Sequence, residues 1–144
     1  MHMNLPADDP HIRPAGADDE TVAGVGKLTE ALEKVERARG ALYDLHQLVG
    51  GADAQAEEAA AKLERAGKHD QAAMIRQKIV GRNVLPGRWT FQIIEEFDEE
   101  YYLPFREAEK TVRDQLLEGR KHVYESEMKE RLRTPDEPGH EARP

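Results

Sequence analysis

Apolar side chains recur every three or four residues along the first third of the chain. They are Val22, Val25, Leu28, Leu32, Val35, Ala38, Leu42, Leu45 and Val49. This spacing places them on one side of an α-helix. Gly50 and Gly51 follow directly, and glycine commonly ends helices. We therefore expect an amphipathic helix over residues 21–49.

The next segment predicts a short helical hairpin. Asp53 and Asp70 are each suited to cap the start of a helix, and Gly67 separates the two helical patterns. The run from Asp70 to Ile79 resembles the second helix of the UVR-type hairpin, a small protein-docking module of several bacterial repair and protein-quality-control proteins. This resemblance implies a contact surface for another protein and assigns no activity.

A fourth helix is expected from Thr90 to Tyr101, where Leu103-Pro104 interrupts the pattern and predicts a bend. The apolar spacing then resumes from Phe105 to Arg133. At 1.5 Å per residue, the segments 21–49 and 105–133 would each be about 43 Å long. This match predicts an all-α fold: a long antiparallel helical hairpin with a head of three shorter helices. The remaining apolar faces would be buried if two hairpins associate as a four-helix bundle, or if the hairpin folds back on the head; of these we favour the homodimer.

Both ends of the chain are rich in proline and poor in large apolar residues. We expect disordered tails at residues 1–16 and 134–144 and a single helical domain at residues 17–133.

Composition excludes several classes of protein. The 144-residue chain has no cysteine, which rules out disulfides, thiol catalysis and zinc–thiolate sites. No apolar run approaches the roughly 20 residues of a membrane helix, so we expect a cytoplasmic protein. The net charge of -8 disfavours general binding to nucleic acids or anionic membranes.

Catalytic candidates are almost absent. Ser126 is the only serine and has no surrounding nucleophile motif, and no glycine-rich loop is suited to hold phosphate. We therefore expect a protein that is not an enzyme and carries no cofactor.

An acidic block at residues 95–100 supports an alternative, a metal-binding helical bundle for iron, manganese or zinc. Its candidate ligands are Glu95, Glu96, Asp98, Glu99 and His122, with His46 and His69 as further options. The Glu-x-x-His spacing of di-iron bundles does not occur between the two tails, and charge runs usually face water.

The stretch from Lys62 to Arg88 supports a third option, nucleic-acid binding. Residues 62–92 contain 7 basic and 2 acidic side chains. No nucleic-acid motif accompanies them, and the acidic block that follows offers partners within the chain.

The most distinctive segment is the loop predicted between the helices, which contains the only tryptophan. Its candidate partner-binding residues are Arg82, Leu85, Arg88, Trp89 and Phe91. Trp and Arg are the residues most enriched at binding hot spots. The alternative is that the apolar members only close the core, while the arginines pair with Glu95 and Glu99. The leading hypothesis is a non-enzymatic adaptor or regulatory subunit that contacts another protein through this loop.

Overall fold

The protein is all-α, as predicted. A computed structural model describes residues 8–142, and within them the regular structure consists of helices, apart from one isolated bridge between Leu85 and Arg88. The helices are α1 (Asp19–Arg65), α2 (His69–Lys78), α3 (Thr90–Phe97), a π-helical turn (Asp98–Tyr102), α4 (Leu103–Leu117) and α5 (Val123–Leu132).

The chain divides into two compact units. Unit 1 comprises the described residues of Met1–Lys34 and Pro104–Pro144, and unit 2 comprises Val35–Leu103. Helix α1 contributes its first part to unit 1 and the rest to unit 2.

Helix α1 continues through Gly50 and Gly51, so the predicted helix end at these residues is wrong. Neither glycine has a positive φ, and alanine-rich sequence with high helix propensity follows them. The helix ends instead at Arg65, two residues before Gly67, whose φ is +80°. There the Lys68 amide donates to the Leu63 carbonyl at 2.8 Å, which is the closing hydrogen bond of a glycine-terminated helix. The first of the three short helices predicted for the head is therefore the end of α1.

In unit 2, one row of α1 side chains faces the rest of the unit. This inner row is buried or half-buried and consists of Val35, Arg39, Leu42, His46, Val49 and Asp53. Ala38 and Leu45, which the apolar spacing places on the same side of the helix, are exposed. The inner row keeps three of the predicted apolar residues and adds three polar ones, which an apolar pattern does not reveal.

The core of unit 1 is small and apolar. Val22 and Val25 of α1 pack with Leu117 and Val123, and Val112 lies against this cluster. Gly26 allows α5 to approach α1 closely, since a Cβ atom there would lie 2.9 Å from the Cβ of Tyr124.

A buried ion pair lies in unit 1. The Arg113 Nε donates to Glu109 Oε1 at 2.9 Å, and the Thr29 hydroxyl donates to the same oxygen at 3.1 Å. Arg113 also donates to the Gly119 carbonyl at 2.6 Å, beyond the end of α4. Each charged group is thus satisfied, which buried charges require.

Pro104 does not end the helical path. It lies in the first turn of α4, directly after the π-helical turn, whose wider winding takes up the change in hydrogen bonding that a proline imposes. The break comes later, at residues 118–122, so the prediction of one helix from Phe105 to Arg133 is wrong. Glu118, Gly119 and His122 have φ values of 54°, 73° and 58°, which no α-helix accommodates.

The described part of the predicted N-terminal tail contacts the rest of unit 1. Arg13 forms a two-bond ion pair with Glu127 at 2.7 and 2.9 Å, and Pro14 is buried. Arg120 donates to the Ile12 carbonyl at 2.7 Å. Residues 1–7, 143 and 144 lie outside the described residues, and disorder of the tails stays a prediction.

Candidate protein-binding surface

The loop between α2 and α3 in unit 2 is built around a tight turn. The amide and carbonyl groups of Leu85 and Arg88 form two mutual hydrogen bonds, at 3.2 and 3.0 Å. Pro86 and Gly87 occupy the two central positions, and Gly87 has a φ of 74°. Proline followed by a residue with positive φ is the signature of a type II turn, in which glycine is strongly preferred. The local sequence therefore determines the shape of this loop.

Trp89 fixes the loop to the start of α3. Its indole Nε1 donates to the Arg82 carbonyl at 3.0 Å, across the base of the loop. Its backbone amide donates to the Gln92 side chain at 2.7 Å, which satisfies an N–H group at the helix start. The Trp89 side chain remains 36% exposed. Trp89 thus has a structural role and is also partly exposed to solvent.

Other apolar side chains near the turn are exposed. Leu85 is 50% exposed and Phe91 is 48% exposed, and Ile79 and Val84 are also exposed. The interpretation that Leu85 and Phe91 only close the core does not account for this exposure. Clustered exposed apolar residues are typical of interaction sites. We refer to residues 82–91 as the Trp89 loop.

The two arginines of the Trp89 loop have different surroundings. Arg88 Nε lies 2.8 and 2.7 Å from the two carboxylate oxygens of Glu96, so Arg88 pairs with Glu96 and not with the residues that the sequence suggested. Arg82 has an exposed side chain and a long hydrogen bond of 3.5 Å to the Lys78 carbonyl. The loop therefore combines apolar side chains with an exposed cation at its base.

The metal-ligand candidates do not come together. Within residues 8–142, no three His, Asp or Glu side chains converge as metal ligands. Asp98 accepts two hydrogen bonds from Arg39, at 2.8 and 3.1 Å, and this contact lowers the pKa of its carboxyl group. Glu96 pairs with Arg88, as described above, while Glu95 and Glu99 are exposed.

The histidines are also dispersed. His122 lies in unit 1, with its Nδ1 3.8 Å from Glu125. His46 Nδ1 forms a 2.6 Å hydrogen bond with the hydroxyl of the buried Thr90, and His69 is exposed. The geometry thus offers the metal-binding alternative no support.

The cluster around Arg39 was not predicted from the sequence. Besides its two bonds to Asp98, the Arg39 guanidinium lies 4.8 Å from the ring centroid of Tyr102 and 5.2 Å from that of Tyr43. The Tyr102 hydroxyl donates to Glu36 at 2.7 Å. These contacts connect the π-helical turn to α1. One sequence feature could have indicated this cluster: Arg39 lies four residues after Val35 and three before Leu42, on the same side of the helix.

The basic stretch is partly neutralised within unit 2. Arg76 pairs with Glu57 at 3.1 Å and also with Glu64. Arg88 is engaged by Glu96, so fewer cations remain for phosphate groups than the sequence suggests.

No protein-family model matches this chain, and neither does any curated protein or solved structure. Among the helices of residues 8–142, none combines the length and apolar character that crossing a bilayer requires.

Proposed function

We propose that this protein is a non-enzymatic interaction module, an adaptor or regulatory subunit, that binds another protein through the Trp89 loop. The observation that carries this proposal is the exposure of Leu85 and Phe91 on a loop that its own hydrogen bonds hold in shape.

A preformed loop favours binding for a physical reason. Ordering a flexible segment costs conformational entropy during association, and a loop that is already held avoids most of that cost. The turn at Pro86-Gly87 and the indole bond of Trp89 supply this preorganisation. Leu85 and Phe91 would then act as apolar anchors, and Arg82 would suit a carboxylate on the partner.

The alternatives have weaker support. A metal-binding bundle needs converging ligands, and the acidic side chains of residues 95–100 that could serve are paired or exposed. Nucleic-acid binding needs an unpaired basic surface, and two of the arginines in the basic stretch have carboxylate partners. The homodimer, its four-helix bundle and a cytoplasmic location also remain proposals, and none of them depends on the Trp89 loop.

The proposal is tested by immobilising three versions of the full chain and capturing binding proteins from lysate of the source cell. The first is the wild type, and the second carries Leu85→Asp and Phe91→Asp. The third carries Leu116→Asp, which places the same charge at a position in unit 1 that is also 50% exposed. Trp89 is left intact because its indole maintains the loop.

We expect a protein that the wild type and the Leu116 variant retain and the loop variant loses. That protein is then titrated in purified form against the same three versions by calorimetry. The loop substitutions should weaken binding about 30-fold or more, as expected for hot-spot anchors. Equal retention by all three versions would refute the proposal.

A further inference from the structure

A second row of apolar side chains on α1 lies on its exposed surface. This outer row consists of Ala38, Ala41, Leu45, Leu48 and Ala52, all of them exposed. Leu48 is 73% exposed, although it lies near the middle of a 47-residue helix, and Leu45 is 41% exposed. Spacings of three and four residues align the row along one side of the helix.

The outer row is distinct from the contacts that hold unit 2 together. The inner row makes several of those contacts: Arg39 binds Asp98, His46 bonds to Thr90, and Asp53 accepts from the Gly81 amide at 2.8 Å. The outer row is therefore an additional apolar face of the same helix.

We infer that the outer row is a docking face for a second copy of this chain, with the two α1 helices antiparallel. The spacing of the outer row is self-complementary. When Leu45 is placed opposite Leu48 of the second copy, Ala41 falls opposite Ala52 of the second copy, and the reverse pairs form at the same time. Leucines then meet at the centre, while alanines on both sides allow the helices to approach closely.

The charges beside the outer row are also complementary between two copies. Arg37 and Glu58 are both exposed, and both flank the outer row on the side away from the inner row. The antiparallel register brings Arg37 of one copy beside Glu58 of the other, at both ends of the contact. Within its own chain Glu58 has a long contact of 3.9 Å with the exposed Lys62, so its carboxylate can engage this partner.

The same charges disfavour the parallel arrangement. In a parallel pair in register, the two Arg37 side chains would lie at the same level, and so would the two Glu58 side chains. Like charges would then be neighbours, which is destabilising. The charge pattern therefore selects orientation as well as partner.

The first test is the oligomeric state of the full-length protein, measured by sedimentation equilibrium from micromolar to submillimolar concentration. We expect a reversible dimer for the wild type. Leu48→Glu should raise the dimer Kd about tenfold or more, because it places two carboxylates at the apolar centre. Leu116→Glu, at an exposed leucine of unit 1, should leave the Kd unchanged. A wild type that stays monomeric, or a dimer insensitive to Leu48→Glu, would overturn the inference.

Charge reversal tests the register. Arg37→Glu and Glu58→Arg should each raise the Kd severalfold, and the double variant should restore it, because the pair is recreated with opposite signs. Both positions are exposed, and circular dichroism of each variant checks that its helix content is unchanged. Single variants that fail to weaken the dimer, or a double variant that fails to restore it, would overturn the proposed register.

Cross-linking tests orientation, and the absence of native cysteine makes it specific. A mixture of Ala41→Cys and Ala52→Cys chains should form a disulfide-linked dimer on mild oxidation. Ala41→Cys alone should not, because in the antiparallel pair the two copies of residue 41 lie about 16 Å apart along the axis, and a disulfide needs Cα atoms within about 7 Å. Efficient cross-linking of Ala41→Cys alone would indicate a parallel pair and refute the inference.

This inference does not rest on the proposed function of the Trp89 loop. The substitutions on α1 leave residues 82–91 unchanged, so loss of the dimer and loss of a partner can be measured separately.

Discussion

Two glycines at the start of α1 offer a matched test of how unit 1 is packed. Gly24 and Gly26 lie two residues apart in the same helix. A Cβ atom added at Gly24 meets nothing within 4 Å, whereas one added at Gly26 would lie 2.9 Å from Tyr124 Cβ and 3.1 Å from Tyr124 Cγ. Replacing either glycine by alanine therefore raises helix propensity equally, but only the replacement at Gly26 creates a steric clash.

The magnitudes follow from these two effects. Alanine is favoured over glycine in a helix by about 1 kcal/mol, so Gly24→Ala should stabilise the protein by roughly that amount. At Gly26 the same gain is opposed by overpacking, which costs about 1–3 kcal/mol. The clash is with Tyr124 Cβ, which is fixed to the backbone and cannot rotate away. The stability of Gly26→Ala should thus lie between that of the wild type and about 2 kcal/mol below it.

Urea unfolding followed by circular dichroism measures this difference. We expect Gly24→Ala to be more stable than Gly26→Ala by about 1–3 kcal/mol, with a corresponding separation in Tm of roughly 3–9 °C. Equal stabilisation by both substitutions would show that α5 does not pack over Gly26, and would refute the packing described for unit 1.

Three further predictions test other parts of the structure. Gly50→Ala and Gly51→Ala should each stabilise the protein by about 1 kcal/mol in thermal unfolding, because both lie inside α1; a loss of stability would favour the helix end predicted from the sequence. Arg113→Ala should cost about 3–5 kcal/mol in urea unfolding, because it leaves the buried carboxylate of Glu109 without its cation; a cost under about 1 kcal/mol would contradict that burial. The Arg39 guanidinium lowers the pKa of the Asp98 carboxyl group in the folded protein. The ionised carboxylate therefore stabilises the fold at pH values above its unfolded pKa of about 4, and this contribution is lost as the pH falls through its lower pKa in the folded state. Asp98→Asn should therefore reduce the loss of stability in acid, measured as Tm against pH, and an unchanged acid profile would count against the ion pair.

The apolar spacing predicted the existence and the start of α1 but not which side is buried along its whole length. The predicted apolar side is correct for Val22, Val25 and Val35, which are buried. Farther along, Leu45 is exposed and His46 faces inward. Apolar character alone does not identify His46 as half-buried, because its partner, the Thr90 hydroxyl, is 44 residues away in the sequence.

Helix ends were harder to predict than helices. Glycine ends a helix only when its backbone adopts a positive φ and the preceding carbonyls find donors, as at Gly67. Gly50 and Gly51 have neither feature, and the alanines after them favour continuation. The break at residues 118–122 was missed because the apolar spacing continues on both sides of it and Glu118 is a residue type that seldom adopts a positive φ.

The candidate surface could be proposed from the sequence because the single tryptophan lies beside Pro86-Gly87, a turn signal. Its exposure could not be predicted in the same way. Leu85 and Phe91 are buried only if other parts of unit 2 pack over them. Composition does not show whether they do. The indole bond that fixes the loop likewise depends on tertiary placement.

The order in which the chain is synthesised gives the two-unit arrangement a kinetic consequence. Unit 2 is one continuous segment, whereas unit 1 combines two segments that lie on either side of it in the sequence. On the ribosome, unit 2 is complete before most of the second half of unit 1 has been made. Val22 and Val25 must wait for Val123, about 100 residues later, which is roughly 5–20 s at ordinary rates of translation. During that interval the first turns of α1 expose their core residues, so this segment is where a nascent-chain chaperone would be expected to bind.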